Sequence, residues 1–128
     1  MERKNYLEGS PWEPKIGYAR AVKVGNIIEI SGTTASVNGE VVGKDDVYAQ
    51  TKCILQKFEK VLESYGASMK DVVRTRIFCT DISKWQEIGN AHGEFFGNIQ
   101  PTTGMYQITK LIDDNLLVEI EATAIINQ

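Results

Sequence analysis

The chain has 128 residues, room for one domain that buries about two-thirds of its unfolded surface, which excludes a multi-domain machine. Its composition, 42% hydrophobic and 24% charged with 11 Gly and 3 Pro, is ordinary globular and excludes collagen-like and disordered classes. Lys and Arg total 14 against 17 Asp and Glu, a formal charge of −3, so there is no broad positive field for a phosphate backbone and nucleic acid is not the expected partner.

Residues 1–17 hold two of the prolines with Gly9, Trp12 and Gly17 and show no periodicity; they read as an N-terminal arm ahead of one domain over 18–128. YARAVKVGNIIEISG predicts strands at about 18–24 and 27–33 around a Gly25-Asn26 turn. Asn38-Gly39 marks a second turn, with GEVV after it as a candidate short strand. Val47, Thr51, Ile54, Leu55, Phe58, Val61, Leu62 and Tyr65 recur at helical spacing, and Gly66 stops the helix. VVRTRIFCT predicts a strand over 72–80, and Ser83-x-x-Gln86 is a capping-box pattern opening a second helix at about 84–98, stopped by Pro101. Strands at about 103–110 and 116–126 follow, joined by Asp113-Asp114-Asn115. The order β-β-(β)-α-β-α-β-β implies an α+β fold, a single mixed sheet with both helices on one face.

Alternation assigns Val73, Ile77, Val118, Ile120, Ile28 and Ile30 to the helix side. The other face then carries Arg74, Arg76, Phe78, Leu117, Glu119 and Glu121, with Glu29 and Arg20 nearby. Such a face is either solvated, as one side of an antiparallel sheet often is, or buried against copies of the same chain.

Familiar catalytic signatures are missing: no GxxxxGK[ST], GxGxxG, CxxC, HExxH or GxSxG occurs. Cys53 and Cys79 fall among apolar residues and suit a reducing compartment. The N-terminus has no apolar run and no segment approaches the ~20 residues of a membrane span, so the expected location is the cytoplasm. His92, the only histidine, falls in the stripe of Ile88, Ala91, Phe95, Phe96 and Ile99 and faces whatever its helix packs on. Glu119 on the free face is a carboxylate whose pKa a seam between copies would alter. Ser31-Gly32 ends its strand either as an exposed main-chain binding site or as a simple bend.

The runs VKVGNIIEISGTT, AQTKCILQKFEKVLESYGASMKDVVRTRIFCTDI, FF followed by PTT, and LVEIEATAI together resemble the reactive intermediate deaminase family, Rid/YjgF, also labelled endoribonuclease L-PSP. The resemblance spans about residues 16–126. It implies a chorismate-mutase-like fold, a homotrimer with small-molecule clefts between subunits, and cofactor-free, metal-free hydrolysis of reactive imines or enamines to carbonyl compounds and ammonia. Carried over, it makes Ser31 and Gly32 ligand-contacting and Glu119 the residue that orients water. The family's carboxylate-binding arginine falls on Thr103, which has no charge, and its helix asparagine and tyrosine fall on Gly89 and His92. The chain thus resembles a divergent subgroup in which Arg20 or His92 contributes to a rebuilt pocket. Three functions follow as expectations: imine hydrolysis on a substrate other than the usual 2-iminocarboxylate, a ligand-binding trimer without turnover, and, on the family label alone, ribonuclease activity.

Overall fold

The computed structural model describes residues 1–127. Its strands are β1 (Arg3–Tyr6), β2 (Ala21–Val24), β3 (Ile27–Thr33), β4 (Ser36–Val37), β5 (Glu40–Val41), β6 (Val72–Cys79), β7 (Thr102–Gln107) and β8 (Val118–Ile125). Two α-helices, α1 (Val47–Ser64) and α2 (Trp85–Phe96), complete it. The main sheet runs β1-β2-β3-β8-β6-β7, and β4 and β5 form a separate small hairpin. All pairings are antiparallel except β6 with β7, which are parallel because α2 crosses over between them.

Local chemistry sets the boundaries. Gly25 at φ 61° gives the hairpin between β2 and β3 its turn, and Asn38 and Gly39, at 53° and 81°, close the β4–β5 hairpin. Asp46 caps α1 by accepting the Ala49 N–H at 3.0 Å. At its other end Gly66, at φ 76°, lets the Ala67 N–H reach back to Leu62 O. Both helices cover one face: Ile54, Leu55, Phe58, Leu62, Ile88 and Phe96 pack on Ile28, Ile30, Ile77, Val118 and Ile120.

Four expectations are adjusted. Residues 1–17 do not trail as an arm: β1 pairs with β2 as an edge strand, and the buried Glu13 carboxylate gathers the N–H groups of Glu8, Gly9 and Ser10, each at 3.0 Å. Val73 does not face the helices. A register shift between Val72 and Arg74 puts Val72 inside and leaves Val73 41% exposed, with Thr75 as the next inward residue. The Ser83/Gln86 capping box does not form; Asp81 caps a short 3₁₀ turn, Ile82–Lys84, that leads into α2. Leu117 lies ahead of β8 rather than on its open face, its N–H bonded to the buried Gln50 amide oxygen at 2.8 Å.

Candidate functional site

On β8, Val118, Ile120, Ala122 and Ala124 point into the core, so Glu119, Glu121 and Thr123 point to the helix-free face. There Glu119 stands opposite Phe78, and Glu121 opposite Arg76. Arg76 Nη1 lies 3.4 Å from Glu121 Oε1, one of the cross-strand charge pairs the alternation implies. Arg74 lies in register with Thr123, whose hydroxyl bonds Glu29.

Glu119 lies against the irregular segment of β3. The register shifts between Ile30 and Thr33, and a Cβ built on Gly32 would stand 2.8 Å from Glu119 Cδ and 3.0 and 3.2 Å from its oxygens. Glycine is therefore what lets the carboxyl settle on the β3 backbone. Burial is the main cause that raises the Glu119 pKa above its ordinary value; the nearby Arg20 guanidinium opposes the shift and the Glu121 charge adds to it.

Arg20, just ahead of β2, reaches this segment from the other side. Its Nη2 donates to Gly32 O at 2.7 Å and to the Thr33 hydroxyl at 2.8 Å, and its Nε lies 3.8 Å from Glu8. Through Nη2 it braces the bend on which Glu119 sits. Ser31 is engaged too: its N–H bonds Arg20 O at 2.9 Å and its hydroxyl donates to Ala19 O at 2.7 Å.

Thr103 and His92 lie on the other side of the sheet. Thr103 is in register with Thr75 in the parallel ladder and so shares its helix-facing side. Thr75 is wholly buried, and its Oγ1 lies 2.8 Å from Thr103 Oγ1 and 2.9 Å from His92 Nε2. The His92 ring packs on Phe96 at 4.7 Å between centroids, and burial lowers its pKa below the ordinary 6.5, so it is neutral at pH 7. Thr103 itself is exposed on the edge strand.

One chain thus brings Ser31, Gly32, Arg20 and Glu119 together, and separately His92, Thr75 and Thr103; it does not join the two sets. The sequence reading missed Thr75. Its signal was a polar residue in phase with Ile77 and Cys79, at a position where only a satisfied hydroxyl is tolerated. Among the described residues no three His, Cys, Asp or Glu side chains gather as a metal site, and no helix is long and apolar enough to cross a membrane.

The chain is similar in sequence and fold to known proteins. The family model described as Endoribonuclease L-PSP matches residues 10–126. A RutC family protein of Pyrococcus abyssi is 33% identical over 121 residues, covering 93% of each chain. The 3-aminoacrylate deaminase RutC of Acinetobacter baylyi is 32% identical over 118 residues, 91% of this chain and 92% of its own. Among solved structures, a Mycobacterium tuberculosis member of the YjgF/YER057c/UK114 family is 45% identical and superposes with a TM-score of 0.88, covering 98% of this chain and all of the other. Fold, sequence and matched span agree: the chain belongs to the endoribonuclease L-PSP family, the Rid/YjgF proteins.

Proposed function

We propose that this protein is a homotrimer that binds a small molecule in clefts between subunits and hydrolyses a reactive imine or enamine to a carbonyl compound and ammonia. The observation that carries this reading is the Glu119 carboxyl seated on Gly32, half-buried on the helix-free face and raised in pKa. A carboxyl so placed serves as both base and acid. The carboxylate takes a proton from water as the oxygen adds to the carbon of the protonated imine, giving a neutral carbinolamine. It returns that proton to nitrogen, and as the C–N bond breaks and ammonia leaves, the carbinolamine hydroxyl gives its proton back to the carboxylate and becomes the carbonyl. Imines already react with water, so positioning one water and one proton carrier is sufficient, with no metal or organic cofactor.

Two further points support it. The relative named 3-aminoacrylate deaminase RutC is aligned over nine-tenths of both chains. The two sets of polar residues on opposite sides of one sheet are each half of a pocket, which a closed ring of subunits brings together. A cytoplasmic setting completes the reading.

A second reading is a ligand-binding trimer without turnover. It is favoured by Thr103, whose hydrogen-bond partners, Thr75 and Pro101 O, are uncharged and leave that side of the cleft without a cation. Ribonuclease activity has only the family description behind it, and the charge of −3 speaks against it. To separate the first two, a threonine dehydratase or an amino-acid oxidase generates the imine in the presence of semicarbazide. Catalysis predicts that the protein suppresses semicarbazone formation across some parent amino acids and that Glu119→Gln does not. A flat response over the whole panel leaves the binding reading.

A further inference from the structure

Thr75 is a hydroxyl with no exposed surface on β6, the strand beside the edge strand β7, between Ile77 and Val72 on its own face. A buried hydroxyl is retained only where its hydrogen-bonding capacity is used. Here it is used in both directions, toward the His92 imidazole on α2 and toward the Thr103 hydroxyl at the open edge of the sheet. The result is a continuous polar chain from the core beneath α2 to the surface.

We infer that Thr75 and His92 are positioning residues for Thr103, and that the chain they form makes Thr103 Oγ1 the contact for an uncharged polar group of the ligand in preference to a carboxylate. The inference rests on the ligand-cleft reading above and specifies one end of the ligand.

The chain runs in either sense. With a proton on His92 Nε2, the imidazole donates to Thr75, Thr75 donates to Thr103, and the Thr103 proton is free to turn outward from its long 3.2 Å bond to Pro101 O. With the proton on Nδ1, Thr103 donates inward, Thr75 donates to Nε2, and Thr103 presents only lone pairs. Thr103 can therefore meet an acceptor such as a carbonyl oxygen or a donor such as an amide N–H. In neither sense does it offer positive charge, and the low His92 pKa keeps the chain neutral at pH 7. The ladder turns the neighbouring cations away: Arg74 and Arg76 project to the opposite face, the latter paired with Glu121. A carboxylate at Thr103 would exchange its hydration for one neutral hydroxyl, whereas a carboxamide or ketone matches it.

The probes are pyruvate and pyruvamide, which differ only in carboxylate against carboxamide, titrated calorimetrically into the wild-type protein and its variants. Wild type binds pyruvamide at least as tightly as pyruvate, Thr103→Val weakens pyruvamide about ten-fold, and Thr103→Arg reverses the preference by about ten-fold or more. Nitrogen-15 spectra of the His92 ring supply a readout that simple packing would not move: both pyruvamide and the Thr103→Val change shift Nε2. His92→Gln, which retains a group able to bond Thr75, recovers much of the affinity that His92→Phe loses. A ten-fold preference of wild type for pyruvate, or pyruvamide binding that leaves His92 unmoved, overturns the inference. If neither probe binds while imine hydrolysis persists, the inference fails and the functional reading stands; if binding and hydrolysis are both absent, both fail.

Discussion

The two polar sets on either side of the sheet solve opposite problems. Around Glu119, the structure concentrates charge. Arg20, Glu8, Glu121 and Arg76 surround a carboxyl pressed against a glycine, and burial shifts its pKa upward. Around Thr103, charge is absent: two hydroxyls and a neutral imidazole pass hydrogen bonds from core to edge. On the proposed function, the contrast assigns a chemical role and a recognition role to different faces, where each local environment suits its task. Proton transfer needs a group whose protonation is poised, whereas selection of a neutral group needs one whose protonation does not change.

The charged side offers the largest effects. Glu119→Gln keeps shape and removes the proton carrier; imine turnover should fall about 100- to 10,000-fold, with circular dichroism and melting essentially unchanged. Gln50→Ala attacks the same side from beneath. That buried amide donates to Gly43 O and Asn115 O and accepts the Leu117 N–H just before Glu119, so its loss should cost about 3 kcal/mol in chemical denaturation. Gly32→Ala is subtler. No left-handed φ is needed at this position, and the new methyl would meet the movable end of Glu119. Turnover should drop about ten-fold while stability changes by less than about 1 kcal/mol.

The neutral side gives smaller numbers. Thr75→Val, nearly isosteric, leaves the His92 and Thr103 ends of the chain without their shared partner and should cost about 1–2 kcal/mol in denaturation. Acid titration separates the two sides by sign. Glu119 titrates above its ordinary 4.5, so the folded chain holds a proton that the unfolded chain has released. Its contribution is greatest below pH 4.5 and declines as pH rises toward the raised folded value. His92 titrates below 6.5, so its contribution is full above pH 6.5 and is lost as pH falls toward the lowered folded value. Melting temperature against pH should therefore lose its Glu119 component in Glu119→Gln and its His92 component in His92→Phe, on opposite slopes.

Much of this was legible in the sequence. The 3.6-residue stripe from Val47 to Tyr65 matches α1, and the alternation of VEIEATAI places Glu119 opposite the core. Family motifs named Ser31, Gly32 and Thr103 as candidate site residues, and one chain places Thr103 on the opposite side of the sheet from the other two. The parts that were not legible are those decided by backbone geometry. β1 is all but exposed, so its pairing with β2 is a matter of main-chain bonds and leaves no hydrophobic pattern. One bulged residue reversed Val72 and Val73, since a single-residue slip exchanges the faces of a strand. Arg20 looked like a free cation, but the bend at Gly32 turns carbonyl oxygens toward it, a geometry that residue identity does not encode.

The central claim is that each pocket joins Glu119 of one copy to Thr103 of another. Subunit mixing tests it most directly, with Glu119→Gln chains and Thr103→Trp chains denatured together in equal amounts and refolded. Each variant alone should be inactive in imine hydrolysis. A ring in which the two residues come from adjacent subunits predicts recovery of about a quarter of wild-type activity in the mixture, since a site works only where an intact Glu119 meets an intact Thr103. A mixture as inactive as its parents, from chains shown to have exchanged subunits, would contradict the account.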